Sequence, residues 1–282
     1  MRKMVVVRGG GDLATGTILR LHACGFSVLA LECARPTAIR RKVAFCEAVY
    51  DGVVQVEGVI CRRIDTPQQA HEVCQAGEIP LLVDETGESL AQIRPVALVD
   101  AILAKKNLGT TRDMAPITIA LGPGFTAGVD VDAVVETMRG HRLGRVLYSG
   151  TAQPNTGVPG NIGGYTRERV IHAPADGALE PCTAIGDVVQ AGQTLAMVGQ
   201  VPVPATIDGV LRGLIREGFP VTRGLKIADI DPRLQERDNC TSVSDKARAI
   251  GGGVLEALLH LAWQRGLTQE LMGKSNGMKS RG

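Results

Sequence analysis

The stretch Val5-Val6-Val7-Arg8-Gly9-Gly10-Gly11-Asp12-Leu13-Ala14, residues 5–14, sets the architecture of the chain. Three valines followed by Gly-x-Gly-x-x-Ala are typical of a strand, a tight turn and a helix that bind a dinucleotide. In this pattern Gly9 permits the turn, Gly11 lets a pyrophosphate approach the backbone, and Ala14 lets the helix pack on the sheet. We therefore expect the N–H groups of residues 10–13 to face an anion.

Charged residues near this turn are further candidates for ligand binding. Glu32 ends the next predicted strand, about twenty residues beyond the glycines, where an acidic residue binds a ribose hydroxyl. Arg35, together with Arg40 and Arg41, could instead accept a 2′-phosphate or another anionic group. For Asp12 we favour a helix N-cap, with pairing to a metal or cation as the alternative.

The first half alternates short apolar runs with helical patterns, which predicts a mostly parallel sheet. Two turn signals in residues 48–62 predict an inserted β-meander. The predicted strands are 4–7, 28–31, 80–83, 96–99, 117–121 and 146–148, and the predicted helices are 15–24, 67–76, 98–106 and 131–139.

A second glycine loop, Leu121–Phe125, follows a buried strand, so we expect Gly122 and Gly124 at the carboxyl edge of the sheet, where α/β proteins bind ligands. Nearby, His141 is a candidate base or anion ligand, with a solvated helix end as the alternative. The sequence has no histidine spacing typical of metal ligands and no Ser-His-Asp order. It therefore predicts no metal site and leaves any catalytic residue unknown.

The second half contains an internal duplication. Ala173, Asp176 and Gly177 recur 32 residues later as Ala205, Asp208 and Gly209. Neither copy is large enough to bury its apolar face alone, so we expect the copies to interlock. Residues 149–165 form a loop rich in glycine and proline, and residues 244–264 are helical apart from glycines 251–253.

Composition excludes several classes of function. The formal net charge is +2 and aromatic residues make up 3% of the chain, so we expect no nucleic-acid binding. No apolar run is long enough to cross a membrane, and Arg8 and the glycines after it end the apolar run of residues 4–7 too soon for an export signal. Seven scattered cysteines are typical of reduced thiols. We expect a soluble, cytoplasmic protein.

Nearly the whole chain resembles the YqeB family, associated with selenium-dependent molybdenum hydroxylases and distantly similar to XdhC-type maturation factors. The resemblance implies a Rossmann-like domain that helps prepare or insert a molybdenum cofactor, with the hydroxylase apoprotein or its cofactor-assembly proteins as partners. The stretches that carry it are residues 8–16, 43–50, 121–125, 136–141, 155–157, 229–233 and 245–253.

The duplicated segment is similar to biotinyl/lipoyl domains, but Val201–Pro204 stands where carrier domains present a modifiable lysine. We expect no biotin or lipoate. The expected fold class is α/β, with a Rossmann-like mostly parallel sheet, a barrel-sandwich all-β domain and a C-terminal helix. The expected domains are residues 1–165, 166–235, a helical segment 236–265 packing on the first domain, and a frayed tail 266–282.

The predicted function is that of an accessory protein that binds a phosphate-bearing ligand, either NAD(P) or another nucleotide or a molybdopterin-type cofactor. The predicted binding residues are Gly9, Gly10, Gly11, Asp12, Leu13, Ala14, Glu32, Arg35, Gly122 and Gly124. One alternative is an NAD(P)-dependent oxidoreductase, for which Tyr148, Tyr165 and His141 are the candidate proton donors. Another is a docking scaffold without catalysis. The sequence leaves open whether the chain forms a homo-oligomer.

Overall fold

The opening segment folds as a strand, a glycine turn and a helix, which confirms the local prediction. In the computed structural model, which describes residues 3–272, strand Val5–Arg8 leads through the turn into helix Asp12–Ala23. The strand is fully buried, and Ile18 and Leu21 of the helix are buried against the same core.

Nineteen strands and six α-helices follow one another within residues 3–272. The strands are β1 (Val5–Arg8), β2 (Val28–Glu32), β3 (Val53–Val56), β4 (Val59–Ile64), β5 (Ile79–Val83), β6 (Ala97–Asp100), β7 (Thr118–Leu121), β8 (Thr126–Ala127), β9 (Ala133–Val135), β10 (Val146–Leu147), β11 (Gly150–Thr151), β12 (Val170–His172), β13 (Gly177–Pro181), β14 (Val188–Val189), β15 (Thr194–Val198), β16 (Val201–Pro204), β17 (Gly209–Leu214), β18 (Pro220–Val221) and β19 (Lys226–Asp231). The helices are α1 (Asp12–Ala23), α2 (Ala48–Asp51), α3 (Ala70–Gln75), α4 (Leu90–Ile93), α5 (Asp245–Gln264) and α6 (Thr268–Met272).

The main sheet has nine strands in the order β10-β9-β7-β6-β1-β2-β5-β4-β3. Its seven inner strands are parallel, while β10 and β3 pair antiparallel at the two edges. All six strands predicted for the first half are present. The predicted meander contains one hairpin, β3–β4, whose second strand joins the parallel part of the sheet.

The prediction of a Rossmann-like sheet is wrong. A Rossmann sheet adds strands outward in the order 3-2-1-4-5-6. Here β5 lies between β2 and β4, and both edges are antiparallel, so the sheet is mixed. The helices predicted over 98–106 and 131–139 are absent; residues 133–135 form the buried strand β9. Short apolar runs do not distinguish a buried strand from a helix, which explains the error.

The duplication is visible in two four-stranded antiparallel sheets, ordered β12-β19-β17-β14 and β16-β15-β13-β18. Each sheet takes strands from both copies, so the copies interlock as predicted. The matched glycines also share their backbone conformation, since φ is 153° at Gly177 and 157° at Gly209.

These two sheets are joined closely to the main α/β unit. Leu214 N–H donates to the carbonyl of Ile39 (2.9 Å), Arg41 Nε donates to the carbonyl of Leu214 (2.7 Å), and Lys42 Nζ donates to the carbonyl of Ile185 (2.6 Å). The predicted fold class, a Rossmann-like domain with an added biotinyl/lipoyl-like domain, is therefore corrected to an α/β fold with a large mixed sheet and additional antiparallel sheets.

Helix α5 packs directly on α1. A β-carbon on Gly16 of α1 would lie 2.6 Å from Cβ of Ala247, and one on Gly251 of α5 would lie 2.9 Å from the Gly16 carbonyl oxygen. The two glycines let the helix backbones approach this closely. Glycines 251–253 therefore lie inside α5, contrary to the predicted interruption.

The chain continues beyond α5 in regular structure. Helix α6 spans Thr268–Met272 and buries Leu271 against the main core, so the predicted frayed tail is wrong for these residues. The remainder of that prediction, residues 273–282, lies outside the described residues. No helix among residues 3–272 is long and apolar enough to cross a membrane.

Candidate functional site

The glycine turn is covered by protein atoms over two of its three glycines. A β-carbon on Gly9 would lie 2.8 Å from the Ala101 carbonyl oxygen, and one on Gly10 would lie 2.9 Å from the Cys46 nitrogen. The Gly10 N–H donates to Glu32 Oε2 (2.7 Å), and the Gly10 carbonyl accepts from the Cys46 N–H (2.8 Å). The Gly10 N–H, one of the groups expected to face an anion, is therefore already engaged by Glu32.

Two other predicted binding residues are engaged elsewhere. Glu32 accepts the Gly10 N–H through one oxygen and the Cys33 N–H through the other (2.8 Å), so it holds the turn in place instead of facing a ribose. The Arg35 guanidinium lies over the ring of Phe219, 5.7 Å from its centroid. Neither residue lines the cleft described below.

Gly11 faces open space. A β-carbon there would meet no atom within 4 Å, and Gly11 is the N-cap of α1 with φ −65°. The predicted N-cap role of Asp12 is therefore wrong. Asp12 is the first helical residue, its Oδ1 accepts the Leu13 N–H (2.9 Å), and its Oδ2 lies 3.7 Å from Arg40 Nη1. Ala14 is buried in the core, where it packs the helix on the sheet as predicted.

The second glycine loop is a packing element. The β-carbon positions of Gly122 and Gly124 lie 2.6 Å from Thr137 Oγ1 and from Lys106 Cα respectively. Both glycines adopt positive φ, 75° and 108°, which the tight loop requires. Of this loop, Pro123 lines the cleft and the two predicted glycines do not.

A cleft of about 1050 Å³ opens in front of Gly11. Its walls are the N-terminus of α1, the loops 37–40 and 153–160, the start of α5, and strands β12, β17 and β19. Eight lysine and arginine residues line it against two aspartates, whereas the whole chain carries a net charge of only +2: Arg40, Lys105, Arg139, Arg167, Arg169, Arg212, Lys226 and Lys246, with Asp12 and Asp229. This concentration of cations suits an anionic ligand.

Three of these cations, Arg40, Arg212 and Lys246, are buried or half-buried and incompletely paired. Arg40 is buried, and its Nη2 donates to the carbonyls of Asn239 and Ser242, but its Nε has no partner within residues 3–272. Arg212 and Lys246 are half-buried, and neither forms a hydrogen bond or an ion pair in that part of the chain. Arg40 is also paired with Asp12 through Nη1 (3.7 Å), so it offers a ligand only its Nε, whereas Arg212 and Lys246 offer their whole charged groups.

Burial and neighbouring positive charges disfavour the charged forms of two of these cations, Arg40 and Lys246. Burial, and then the charge of Arg212, lowers the pKa of Arg40. Burial, and then the charge of Arg139, lowers the pKa of Lys246. Both effects penalise the charged form, so a bound anion would relieve them.

Other cations of the cleft are held by carboxylates. Arg139 makes two hydrogen bonds to Asp245, of 2.7 and 3.0 Å, and these lower the pKa of Asp245 to about 2. Arg169 forms a buried pair with Asp229. Buried Glu136 accepts N–H bonds from residues 137, 138 and 153, and so fixes two cleft loops relative to each other.

The remaining sequence candidates lie outside this cleft. His141 and Tyr165 are exposed, and the Tyr148 ring packs against His260 with ring centroids 4.8 Å apart and the ring planes tilted by 47°. Burial raises the pKa of Cys33 and of Cys74 to about 11, so both thiols are protonated near neutral pH. Within residues 3–272, no group of three or more His, Cys, Asp or Glu residues is arranged to hold a metal ion.

Sequence reasoning identified only part of the cationic surface. Of the arginines singled out near the turn, Arg40 enters the cleft, whereas Arg41 donates to the Leu214 carbonyl (2.7 Å). Arg212 and Lys246 were missed because they come from β17 and the start of α5, far from the turn in sequence. A signal for Lys246 was present, since it belongs to the resembling stretch 245–253.

The sequence is similar to that of a curated bacterial protein. Over 262 residues, 93% of this chain, the sequence is 54% identical to Uncharacterized protein YqeB of Escherichia coli (strain K12). This chain spans about half of that relative's length, 48%. No protein-family model matches the chain.

Similarity to solved structures is weak. The ectoine utilization protein EutE (DoeB) from Ruegeria pomeroyi, with product bound, matches 80% of this chain and 56% of its own at 14% identity and a TM-score of 0.23. A succinylglutamate desuccinylase/aspartoacylase from Rhodobacter sphaeroides matches 82% of this chain and 86% of its own at 13% identity and a TM-score of 0.27. Likenesses this weak extend no activity to the chain.

Proposed function

We propose that this chain, whose matched residues belong to the YqeB family, binds a phosphate-bearing small molecule in the cationic cleft and acts as an accessory protein in the maturation of a molybdenum hydroxylase. The observation that carries the binding proposal is the gathering of eight lysines and arginines, including Arg40, Arg212 and Lys246, against two aspartates in the cleft that Gly11 also lines.

The chemistry of these groups fits an oxyanion. Guanidinium groups present several N–H donors in a plane and bind phosphate oxygens through paired hydrogen bonds. The N–H groups of Gly11 and Asp12 donate to no other atom of residues 3–272, and the positive end of the α1 dipole favours negative charge at the same place. A phosphorylated nucleotide or pterin satisfies both features.

The link to a molybdenum hydroxylase rests on the sequence resemblance. Six of the seven resembling stretches contribute residues to the cleft, including Gly11, Arg139, Asp229 and Lys246. Segments separated by more than two hundred residues therefore meet at one surface. This convergence supports the cleft as the working site of the accessory role.

Binding can be tested with inorganic pyrophosphate as the probe, by isothermal titration calorimetry. We expect Arg212→Gln and Lys246→Met each to weaken binding by about tenfold or more, which corresponds to about 1.4 kcal/mol. Arg223→Gln is the matched control, because Arg223 is exposed outside the cleft. Equal affinities in all four proteins would contradict the binding site.

The cellular role needs a separate test. Cells that lack this protein should still make the hydroxylase polypeptide, but in an inactive form with an incomplete cofactor. The measurements are hydroxylase specific activity and its molybdenum, sulfur and selenium content. Full activity with normal content of all three elements would refute the accessory role.

A further inference from the structure

We infer that the outer face of helix α5, at its C-terminal end, is a docking surface for a second folded unit. That unit is the counterpart of the residues that the longer Escherichia coli relative has outside the match. The docking face consists of Val129, Tyr148, Leu259 and Trp263, and none of these four residues lines the cationic cleft. The inference therefore adds a protein partner and does not depend on the ligand of the cleft.

Helix α5 carries apolar side chains on two sides. One side is buried against the main core and includes Ala257, Leu258 and Leu261. Leu259 and Trp263 lie one helical turn apart outside that buried stripe, and they are 43% and 73% exposed. A helix that packs on a single core needs one apolar stripe and carries polar residues elsewhere. Packing within residues 3–272 therefore does not explain the second apolar pair.

Two loops of the main sheet continue this surface. The ring of Tyr148, the residue after β10, packs against His260, which follows Leu259 on α5. The carbonyl oxygen of Tyr148 lies 3.4 Å from the β-carbon position of Gly128, and the next residue, Val129, is 69% exposed. The docking face thus extends from α5 across the loops beside β10 and β8.

The composition of the docking face is typical of a contact between proteins. The chain has one tryptophan and three tyrosines, and two of these four residues are exposed on this face. Tryptophan is highly buried on average in folded proteins, and both residue types are enriched at the centre of interfaces. A protein partner that covers Tyr148 and Trp263 accounts for their exposure here.

The longer relative points to the identity of that partner. The match covers 93% of this chain but 48% of the relative, so the relative carries about as many residues again, joined near the ends of the matched region. In this fold the two ends lie together, because Lys3 Nζ pairs with Glu270 Oε2 (2.6 Å) on α6. Helix α6 follows α5 after a short turn. Attachment at either end therefore places the additional residues beside Trp263, where tethering gives them a high effective concentration.

A unit docked on this face leaves the cleft accessible. Lys246, at the start of α5, lines the cleft, whereas Trp263 lies seventeen residues later on the same helix. At 1.5 Å per residue, this separation is about 26 Å. The ligand and the second unit therefore bind at opposite ends of α5.

Photo-crosslinking in the full-length relative tests the assignment. A benzophenone amino acid is placed, in separate variants, at the positions aligned with Tyr148, with Leu259 and with Arg223. Arg223 is the control, because it is exposed on the duplicated β-unit and lies outside the docking face. We expect the Tyr148 and Leu259 positions to crosslink, within one molecule, to peptides outside the matched region, and the Arg223 position to give no such crosslink. Mass spectrometry identifies the linked peptides.

The fluorescence of this chain by itself provides a second measurement. Trp263 is its only tryptophan, so its emission reports directly on the docking face. We expect the emission wavelength and the acrylamide quenching of a solvent-exposed indole at every protein concentration. A shift to shorter wavelength with weaker quenching as the concentration rises would make the occupant a second copy of the chain and overturn the inference.

The crosslinking results can also overturn the inference. They do so if neither test position links to the additional residues, if the control position links to them equally, or if mixed isotopically labelled and unlabelled protein shows links between copies instead. Neither experiment involves an anion. Failure of pyrophosphate binding would therefore contradict the proposed function and leave the docking face standing.

Discussion

Replacing Gly10 by alanine should destabilise the fold, whereas replacing its neighbour Gly11 should not. The added methyl group at position 10 would lie 2.9 Å from the nitrogen and 3.1 Å from the Cα of Cys46, both backbone atoms that cannot swing aside. The three hydrogen bonds of Gly10 would be strained by the same movement: its N–H donates to Glu32, and its carbonyl accepts from the Cys46 N–H and the Thr15 hydroxyl. Overpacking of this kind costs about 1–3 kcal/mol.

Position 11 provides the matched control. Gly11 has φ −65°, which alanine adopts without strain, and its β-carbon position meets no atom within 4 Å. Losing a glycine N-cap costs about 0.5–1 kcal/mol. The lower entropy of the unfolded chain returns about 0.4–1 kcal/mol. We expect the free energy of unfolding of Gly11→Ala to stay within about 0.5 kcal/mol of wild type.

Thermal unfolding followed by far-ultraviolet circular dichroism measures both variants. A loss of 1 kcal/mol lowers the Tm of a protein of this size by about 2–4 °C, so Gly10→Ala should melt several degrees below wild type. If Gly10→Ala melts with wild type, or if the two variants lose equal stability, the argument that Cys46 covers the turn is refuted.

Two further predictions concern pH. The pKa of Asp245 is about 2 in the fold because Arg139 hydrogen-bonds its carboxylate, so the pair contributes stability above about pH 4 that is lost as the pH falls toward 2. When the pH is lowered from about 5 to about 3, the free energy of unfolding measured in urea should therefore decrease less for Asp245→Asn than for wild type. Equal decreases in the two proteins would contradict the role of the pair. The pKa of Lys246 is lowered by burial, so a bound anion should raise it and take up a proton at alkaline pH. Calorimetric titrations with pyrophosphate in buffers of different ionisation enthalpy should show this proton uptake, and the affinity should fall as the pH rises. If Lys246→Met shows the same uptake and the same pH dependence, Lys246 is not the group that takes up the proton.

Local sequence signals predicted local structure well. The six strand predictions in the first half and helix α1 are all present, because apolar runs and a glycine turn impose their conformation over a few residues. The 32-residue repeat also predicted that two copies interlock, since a short antiparallel unit cannot bury its own apolar face.

The apolar runs and the glycine turn did not predict the order of those strands in the sheet. The Gly-x-Gly-x-x-Ala pattern predicts a tight turn, but it does not state which strand pairs with β2 or what covers the turn. In the folded protein β5 occupies the place beside β2, and Cys46 occupies the space over Gly10. Both are contacts between segments distant in sequence, and a local pattern carries no information about them.

In the candidate site, too, local sequence predicted one part and tertiary packing decided the other. The sequence alone determined that a strand and a glycine turn lead into the start of a helix. In the fold, Gly11 at that helix start is not covered by other protein atoms. Tertiary packing determined that Arg40, Arg212 and Lys246 would face it, because they come from a loop, strand β17 and helix α5. The physical reason is that each arginine or lysine, read along the chain, is typical of a solvated surface. Only the packing of β17 and α5 around the start of α1 brings these cations together and partly buries them, where their charges act on one ligand.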